Sequence, residues 1–221
     1  MSLSSDARFW DRNSRRYTRG AIADPAGYQR TLDRTRALLA PAARVLELGC
    51  GSGVTARALA GGVRAYLATD LSAGMIAIAE EKNQAQAEPA LPAPRFRVAT
   101  AETLLDGEEA AGSFDAVLGF NYLHQVRDLA GTLRSIHGLL APRGLFISKT
   151  PCLADMHPLL RRALLPAMQA LRLAPYAGAF RAAELGAALE HAGFELLAIE
   201  YHASRGRDRR PYIVARRLNS R

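Results

Sequence analysis

Lysine is almost missing from this 221-residue chain: Lys82 and Lys149 are the only two, and every other basic residue is arginine. Cysteine is equally scarce. Cys50 and Cys152 stand far apart with no CxxC spacing, which excludes a disulfide framework and fits a reduced, cytoplasmic compartment. His124, His137, His157, His191 and His202 show no ligand spacing with one another or with cysteine, so no metal site is expected. No apolar run approaches the roughly 20 residues that a membrane span needs, and no membrane partner is expected. The Arg- and Ser-rich start imitates a transit peptide, but Asp6 and Asp11 oppose that reading.

What is present is an ordinary globular composition. At 49% hydrophobic and 23% charged, the chain is neither disordered nor fibrous, and its length suits one α/β domain. The net charge of +8 suggests a nucleic-acid partner until its distribution is read. Residues 1–44 carry nine Arg and four Asp, and residues 202–221 carry seven Arg and one Asp, whereas residues 45–201 are net −3. The basicity belongs to two flanks around a mildly acidic middle. Joint enrichment in alanine and arginine is also what a GC-rich genome writes, so part of the charge needs no partner.

Short apolar runs alternate with helical stretches, the pattern of a mostly parallel sheet covered on both faces. Strands are expected at Arg44–Cys50, Ala65–Leu71, Arg95–Ala101, Phe114–Asn121 and Gly144–Thr150, the last preceded by a turn at Pro142-Arg143-Gly144. Helices are expected at Val54–Ala60, Ala73–Ala85 and Asp128–Leu140. Residues 151–180 break the rhythm: they are apolar and divided by Pro158, Pro166 and Pro175, and they read as an inserted helical cap. A helix at Ala182–His191 and strands at Phe194–His202 and Tyr212–Arg216 follow, the two strands forming an antiparallel hairpin. The chain thus divides into an N-terminal helical lid (1–43), a core (44–150), the cap (151–180) and a last helix with closing hairpin (181–221).

The chemistry concentrates in Glu47-Leu48-Gly49-Cys50-Gly51-Ser52-Gly53, where a buried strand runs into three alternate glycines and then a helix. Glycine lets the backbone turn sharply and approach a ligand with no Cβ in the way. Glu47 sits at the strand end, where a carboxylate can meet a ligand ammonium. Asp70 closes the second strand, 17 residues beyond Gly53, where a carboxylate can accept both hydroxyls of a ribose. The dinucleotide fingerprint G-x-G-x-x-G has a different spacing, and Glu47 would repel a pyrophosphate. Two strand-end acids around a glycine loop describe a nucleoside site; a ligand-free tight turn is the alternative.

The ELGCGSG loop, Asp70-Leu71-Ser72 with Met75 behind it, and the FDAVLGFNYLH segment resemble the class I S-adenosylmethionine-dependent methyltransferases over about residues 44–150. The N-terminal FWDRNSRRY and DPAGYQRTLDRTRALL are similar to small-molecule methyltransferases related to those of quinone biosynthesis. The resemblance implies a Rossmann-like three-layer sandwich, with a mostly parallel seven-stranded sheet and a C-terminal antiparallel hairpin. It implies S-adenosyl-L-methionine as cofactor, S-adenosyl-L-homocysteine as product and a small organic methyl acceptor as partner, in a monomer or homodimer. By position, Gly49, Gly51 and Gly53 would face the methionine portion, with Glu47 near its amino group. Asp70 would hold the ribose, Leu71 and Met75 would flank the adenine, and Ala101 and Glu102 would meet the adenine edge. Thr100 stands where many relatives carry an acid. Met75 also reads as plain core.

Asn121, Tyr122 and His124 follow the fourth strand, where the family places residues at the reacting methyl. His124 is the candidate base, because an unperturbed pKa of about 6.5 suits proton transfer near neutrality; it reads equally as a helix-start packing residue. Tyr122 shares that ambiguity. Phe9, Trp10, Tyr17 and Tyr28 lie among Arg12, Arg15, Arg16 and Arg19, either as a lid that brings Tyr17 or Tyr28 to the reaction centre or as an RNA-binding arm. Cys152 reads as an inert buried thiol. Three functions stay open: a small-molecule methyltransferase, an RNA methyltransferase using the basic flanks, and a non-catalytic nucleoside-binding regulator.

Overall fold

The computed structural model describes residues 3–85, 92–107, 111–155, 175–206 and 208–219. Seven strands form one sheet: β1 (Arg44–Leu48), β2 (Ala65–Asp70), β3 (Arg95–Val98), β4 (Phe114–Phe120), β5 (Leu140–Lys149), β6 (Phe194–Glu200) and β7 (Tyr212–Arg217). Their order is β3-β2-β1-β4-β5-β7-β6. The first five are parallel, and β7 runs antiparallel to both β5 and β6. This is the expected mostly parallel sheet with its closing hairpin. From β1 the chain winds outward to β3, then returns to the other side of β1 as β4. The carboxyl ends of β1 and β4 therefore flank a topological switch point, where open α/β sheets bind ligands.

Side-chain alternation builds the layers. On β4, Val117 joins a core with Leu46, Leu48, Leu133, Ile136 and Phe146 on one face. Its neighbours Ala116 and Leu118 join Val45, Ala56, Leu59, Ile76 and Val214 on the other. Both faces of the central strands are thus buried, as parallel strands require. The covering helices are α1 (Leu3–Tyr17), α2 (Pro25–Leu38), α3 (Val54–Leu59), α4 (Ala73–Ala85), α5 (Ala101–Leu105), α6 (Leu129–Leu139) and α7 (Ala182–His191).

Two expected boundaries need correction. The third strand ends at Val98, not Ala101, because Thr100 starts α5 with a capping box: its hydroxyl accepts the Thr103 N–H, and the Thr103 hydroxyl accepts the Thr100 N–H at 2.9 Å. The turn at Pro142-Arg143-Gly144 is a bulge inside β5, which begins at Leu140. Phe114 pairs with Leu140 and Ala116 with Leu145, so the extra β5 residues loop out, with Arg143 at φ 62°. The expected helical cap falls largely on residues 156–174, outside the described set, as do His157, Pro158 and Pro166. Of its described ends, Leu153–Asp155 forms a single 3₁₀ turn and residues 175–180 have no regular structure.

The N-terminal segment is tied to the sheet at both of its helices. In α1, Asp11 accepts from the Ser72 hydroxyl at 2.6 Å and the Gly74 N–H at 3.0 Å, completing the cap of α4. Asp6 holds the Arg127 guanidinium through two bonds of 2.7 and 2.9 Å, and that guanidinium also lies 4.5 Å over the Tyr176 ring. In α2, Arg34 binds both carboxylate oxygens of Glu200, and Arg30 donates twice to the His202 carbonyl. Part of the flanking arginine charge is thus internal structure. Asp6→Ala removes a bidentate polar anchor of α1, so amide exchange across Leu3–Tyr17 should accelerate at least about tenfold, the effect of losing about 1.4 kcal/mol. Amides of β1 and β4 should not change, and unchanged exchange in α1 would contradict the anchor.

Candidate active site

A cavity of about 1030 Å³ opens at the carboxyl end of the sheet, bounded by the glycine loop, the ends of β2, β4 and β5, and the N-terminal segment. Glu47, Gly49, Gly51, Asp70, Leu71, Met75, Glu102, Asn121, Tyr122 and Tyr17 all line it. Gly53, Ala101 and His124 do not. Gly53 starts α3 in the left-handed region at φ 71°, and a Cβ there would meet the Phe96 ring at 2.8 Å, so its role is close packing against β3. Ala101 is fully buried at the start of α5. His124 sits in a 3₁₀ turn, and its Nδ1 is buried with no hydrogen-bond partner among the described residues. Burial pushes its pKa down to about 4.

The glycine loop is held open by Asp70. One carboxylate oxygen accepts the Gly51 N–H at 3.0 Å and the other the Ser72 N–H at 2.9 Å, which ties the β1–α3 loop to the start of α4. Gly51 has φ 54°, and a Cβ built on it would meet no atom, so this backbone borders open space. At Gly49, with φ 68°, a Cβ would meet the Tyr122 ring at 2.8 Å, so that ring lies close against the loop from just after β4. Asn121 itself takes a left-handed φ of 52°, a conformation that asparagine tolerates better than most residues. It turns the chain sharply after β4, with its N–H on the Lys149 carbonyl at 2.7 Å.

Burial sets the electrostatics. Glu47 is 2% exposed and accepts the Tyr66 hydroxyl at 2.8 Å. Desolvation raises its pKa from 4.5 to about 8, with the Asp70 charge adding to the rise. Asp70 is also raised by burial, against the lowering from its backbone donors. An arriving cation would favour the ionised form of both acids, so the site suits a cationic ligand. Burial raises the thiol of Cys50, beside these acids, and pushes Cys152 up to about 12, so neither is a ready nucleophile. No group of three metal-ligating side chains occurs among the described residues.

Comparison with known proteins agrees with this geometry. A methyltransferase domain model matches residues 16–199. The chain belongs to that family. A ubiquinone biosynthesis O-methyltransferase from Xanthomonas axonopodis pv. citri (strain 306) is 33% identical over 175 residues, covering 75% of this chain and 68% of that one. A segment of the polyketide synthase PksR from Bacillus subtilis (strain 168) is also 33% identical, over 47% of this chain and 4% of the synthase. Among solved structures, magnesium protoporphyrin IX methyltransferase from Synechocystis PCC 6803 with bound S-adenosylhomocysteine superposes with a TM-score of 0.73. It is 19% identical, and the match covers 97% of this chain and 99% of that chain, which establishes a shared fold. The likeness to S-adenosylmethionine-dependent methyltransferases read from the glycine loop is borne out at the level of family and fold.

Several contributors carry no local motif. Tyr66, the partner of Glu47, reads in sequence as an ordinary strand aromatic. Trp10 lines the cavity, and Tyr17, 59% exposed, packs edge-on against it at 5.3 Å. Lys149 lies 8% exposed at the end of β5 and lines the cavity with Arg210. Its scarcity as a residue type was the one available signal.

The raised Glu47 pKa has a definite sign. Between about 4.5 and about 8 the folded state holds a proton that the unfolded state has lost, so stability falls as pH rises through that window. Glu47→Gln keeps an acceptor for Tyr66 and removes the titration. Its melting temperature should exceed that of the unaltered protein by about 2 °C or more at pH 8, with a smaller gap at pH 5. Calorimetry showing a gap that shrinks or reverses with rising pH would contradict the buried acid.

Proposed function

We propose that the cavity binds S-adenosylmethionine and that the protein transfers its methyl group to a small organic acceptor. The observation that carries this reading is the open backbone at Gly51 between two buried acids, one on β1 and one on β2. When bound, S-adenosylmethionine supplies an electrophilic methyl on a sulfonium and leaves as S-adenosylhomocysteine.

The chain supplies recognition, orientation and exclusion of water. Asp70, held by its backbone donors, keeps acceptor capacity for a ribose hydroxyl. Asp70 disfavours a phosphate, and a cationic amino group beside Glu47 would favour loss of the proton that burial keeps on it in the free protein. Leu71 and Met75 form an apolar bed for the adenine, with Glu102 near its edge. The Glu102 carboxylate is held at 2.6 Å by the Thr132 hydroxyl. Gly49 and Gly53 keep the loop in shape from behind. Asn121 and Tyr122 stand at the end of β4 beside the glycine loop, and we assign them to positioning at the reacting methyl. Trp10 and Tyr17 close the far wall. His124 does not line the cavity, and we assign it no proton transfer; the acceptor proton leaves to solvent.

A small acceptor fits better than a nucleic acid because Arg30, Arg34, Arg36 and Arg216 bond to groups within the protein. No helix among the described residues is long and apolar enough to cross a membrane. Asp70→Ala should weaken S-adenosylmethionine binding at least tenfold, about 1.4 kcal/mol. Calorimetry on the folded variant checks this, and unchanged affinity would remove the assignment. Release of S-adenosylhomocysteine that no acceptor accelerates would instead favour a non-catalytic nucleoside binder.

A further inference from the structure

Across the cavity from Asp70 lies a second polar cluster that the cofactor reading does not use. Lys149 ends β5, and the order β2-β1-β4-β5 places it three strand spacings from Asp70, about 14 Å. It stands two strand spacings across and two residues along from Glu47 on β1, about 12 Å. Its ammonium donates to the Thr31 hydroxyl at 3.0 Å and lies 3.7 Å from the Asp208 carboxylate. Arg210 borders the same end of the cavity, its Nε 3.4 Å from Asp208.

Asp208 does not consume both cations. Its oxygens already accept the backbone N–H groups of His202 (3.2 Å), Ala203 (3.0 Å) and Arg210 (3.0 Å), so it serves first to hold the 202–210 turn together. Asp24, the other acid lining this end, is held by the Gly27 N–H and by the backbone and hydroxyl of Ser204, with Arg30 as its nearby cation. Lys149, Arg210 and Asp208 together carry one net positive charge. A buried ammonium is costly to keep without full pairing, and an apolar residue would fill the position more cheaply. The surrounding walls, Trp10, Ile22 and Phe120, are apolar.

We propose that Lys149 and Arg210 form an acceptor subsite for a carboxylate, and that the methyl acceptor is an amphipathic carboxylic acid anchored by that group. This rests on the cofactor reading for which end of the cavity is left to the acceptor. The subsite orients: with the carboxylate held at β5, the rest of the molecule extends toward Asn121 and Tyr122 just after β4.

The test is calorimetric binding to the full chain saturated with S-adenosylhomocysteine. The probes are 3-phenylpropanoate, 4-phenylbutanoate and octanoate, each beside its uncharged carboxamide. The carboxylates should bind at least tenfold tighter than their amides. Lys149→Met should bring that preference within about threefold while S-adenosylhomocysteine affinity stays unchanged. Arg210→Gln, on a side chain 40% exposed, should also reduce the preference and does not disturb a buried position. Equal affinity for acids and amides, binding by neither series, or a preference that survives both substitutions would overturn the subsite. Selective carboxylate binding without S-adenosylhomocysteine binding would support the subsite and overturn the cofactor reading.

Discussion

The Asp70 carboxylate joins segments that the sequence keeps apart, and the geometry of the site depends on it. One oxygen holds the Gly51 N–H in the loop after β1, and the other holds the Ser72 N–H at the entry to α4. Both bonds are charge-assisted when the acid is ionised and largely shielded from water, where such bonds are at their strongest. They fix the loop's left-handed backbone, and with it the open space at Gly51. Burial raises the pKa of Glu47, and the same acid adds to that rise through space. One residue thus shapes the cradle.

The N-terminal segment closes this frame because its own acids reach the same loops. Asp11 accepts from Ser72, two residues beyond Asp70, while Asp6 grips Arg127 below the end of β4. The aromatic edge of Trp10 and Tyr17 is thereby fixed over the cavity. On the other side, α2 meets the closing hairpin through Arg30, Arg34 and the Thr35–Tyr212 hydroxyl pair. Arg30, Arg34, Arg36, Arg216 and Arg217 of the basic flanks bond to acids or carbonyls of the fold, which accounts for part of the charge that seemed to call for a polyanionic partner.

Most of the sheet was legible in the sequence because buried parallel strands write themselves as short apolar runs, and β1, β2, β4 and β7 lie within two residues of their expected bounds. The glycine loop and Asp70 were legible because their roles are local: a turn that excludes Cβ and an acid at a strand end. What was not legible depends on distant partners. Thr100 needed Thr103 to stop β3, and the β5 bulge needed β4 as a template. Tyr66 gains meaning only when β2 lies beside β1. His124 shows the converse: its residue type suits a base, yet the turn after β4 places it outside the cavity lining. Lys149 and Arg210 meet only once the hairpin has folded back on β5.

The central claim is that nucleoside recognition resides in the loop and strand ends around Asp70. A backbone NMR titration with S-adenosylhomocysteine tests it most directly. The account predicts saturable shifts at the amides of Gly49, Gly51, Ser72, Met75 and Ala99. It predicts none at Arg44, Arg64 and Arg95, which line a separate cavity at the opposite end of the strands. Shifts confined to that opposite end, or none at all at saturating ligand, would contradict it.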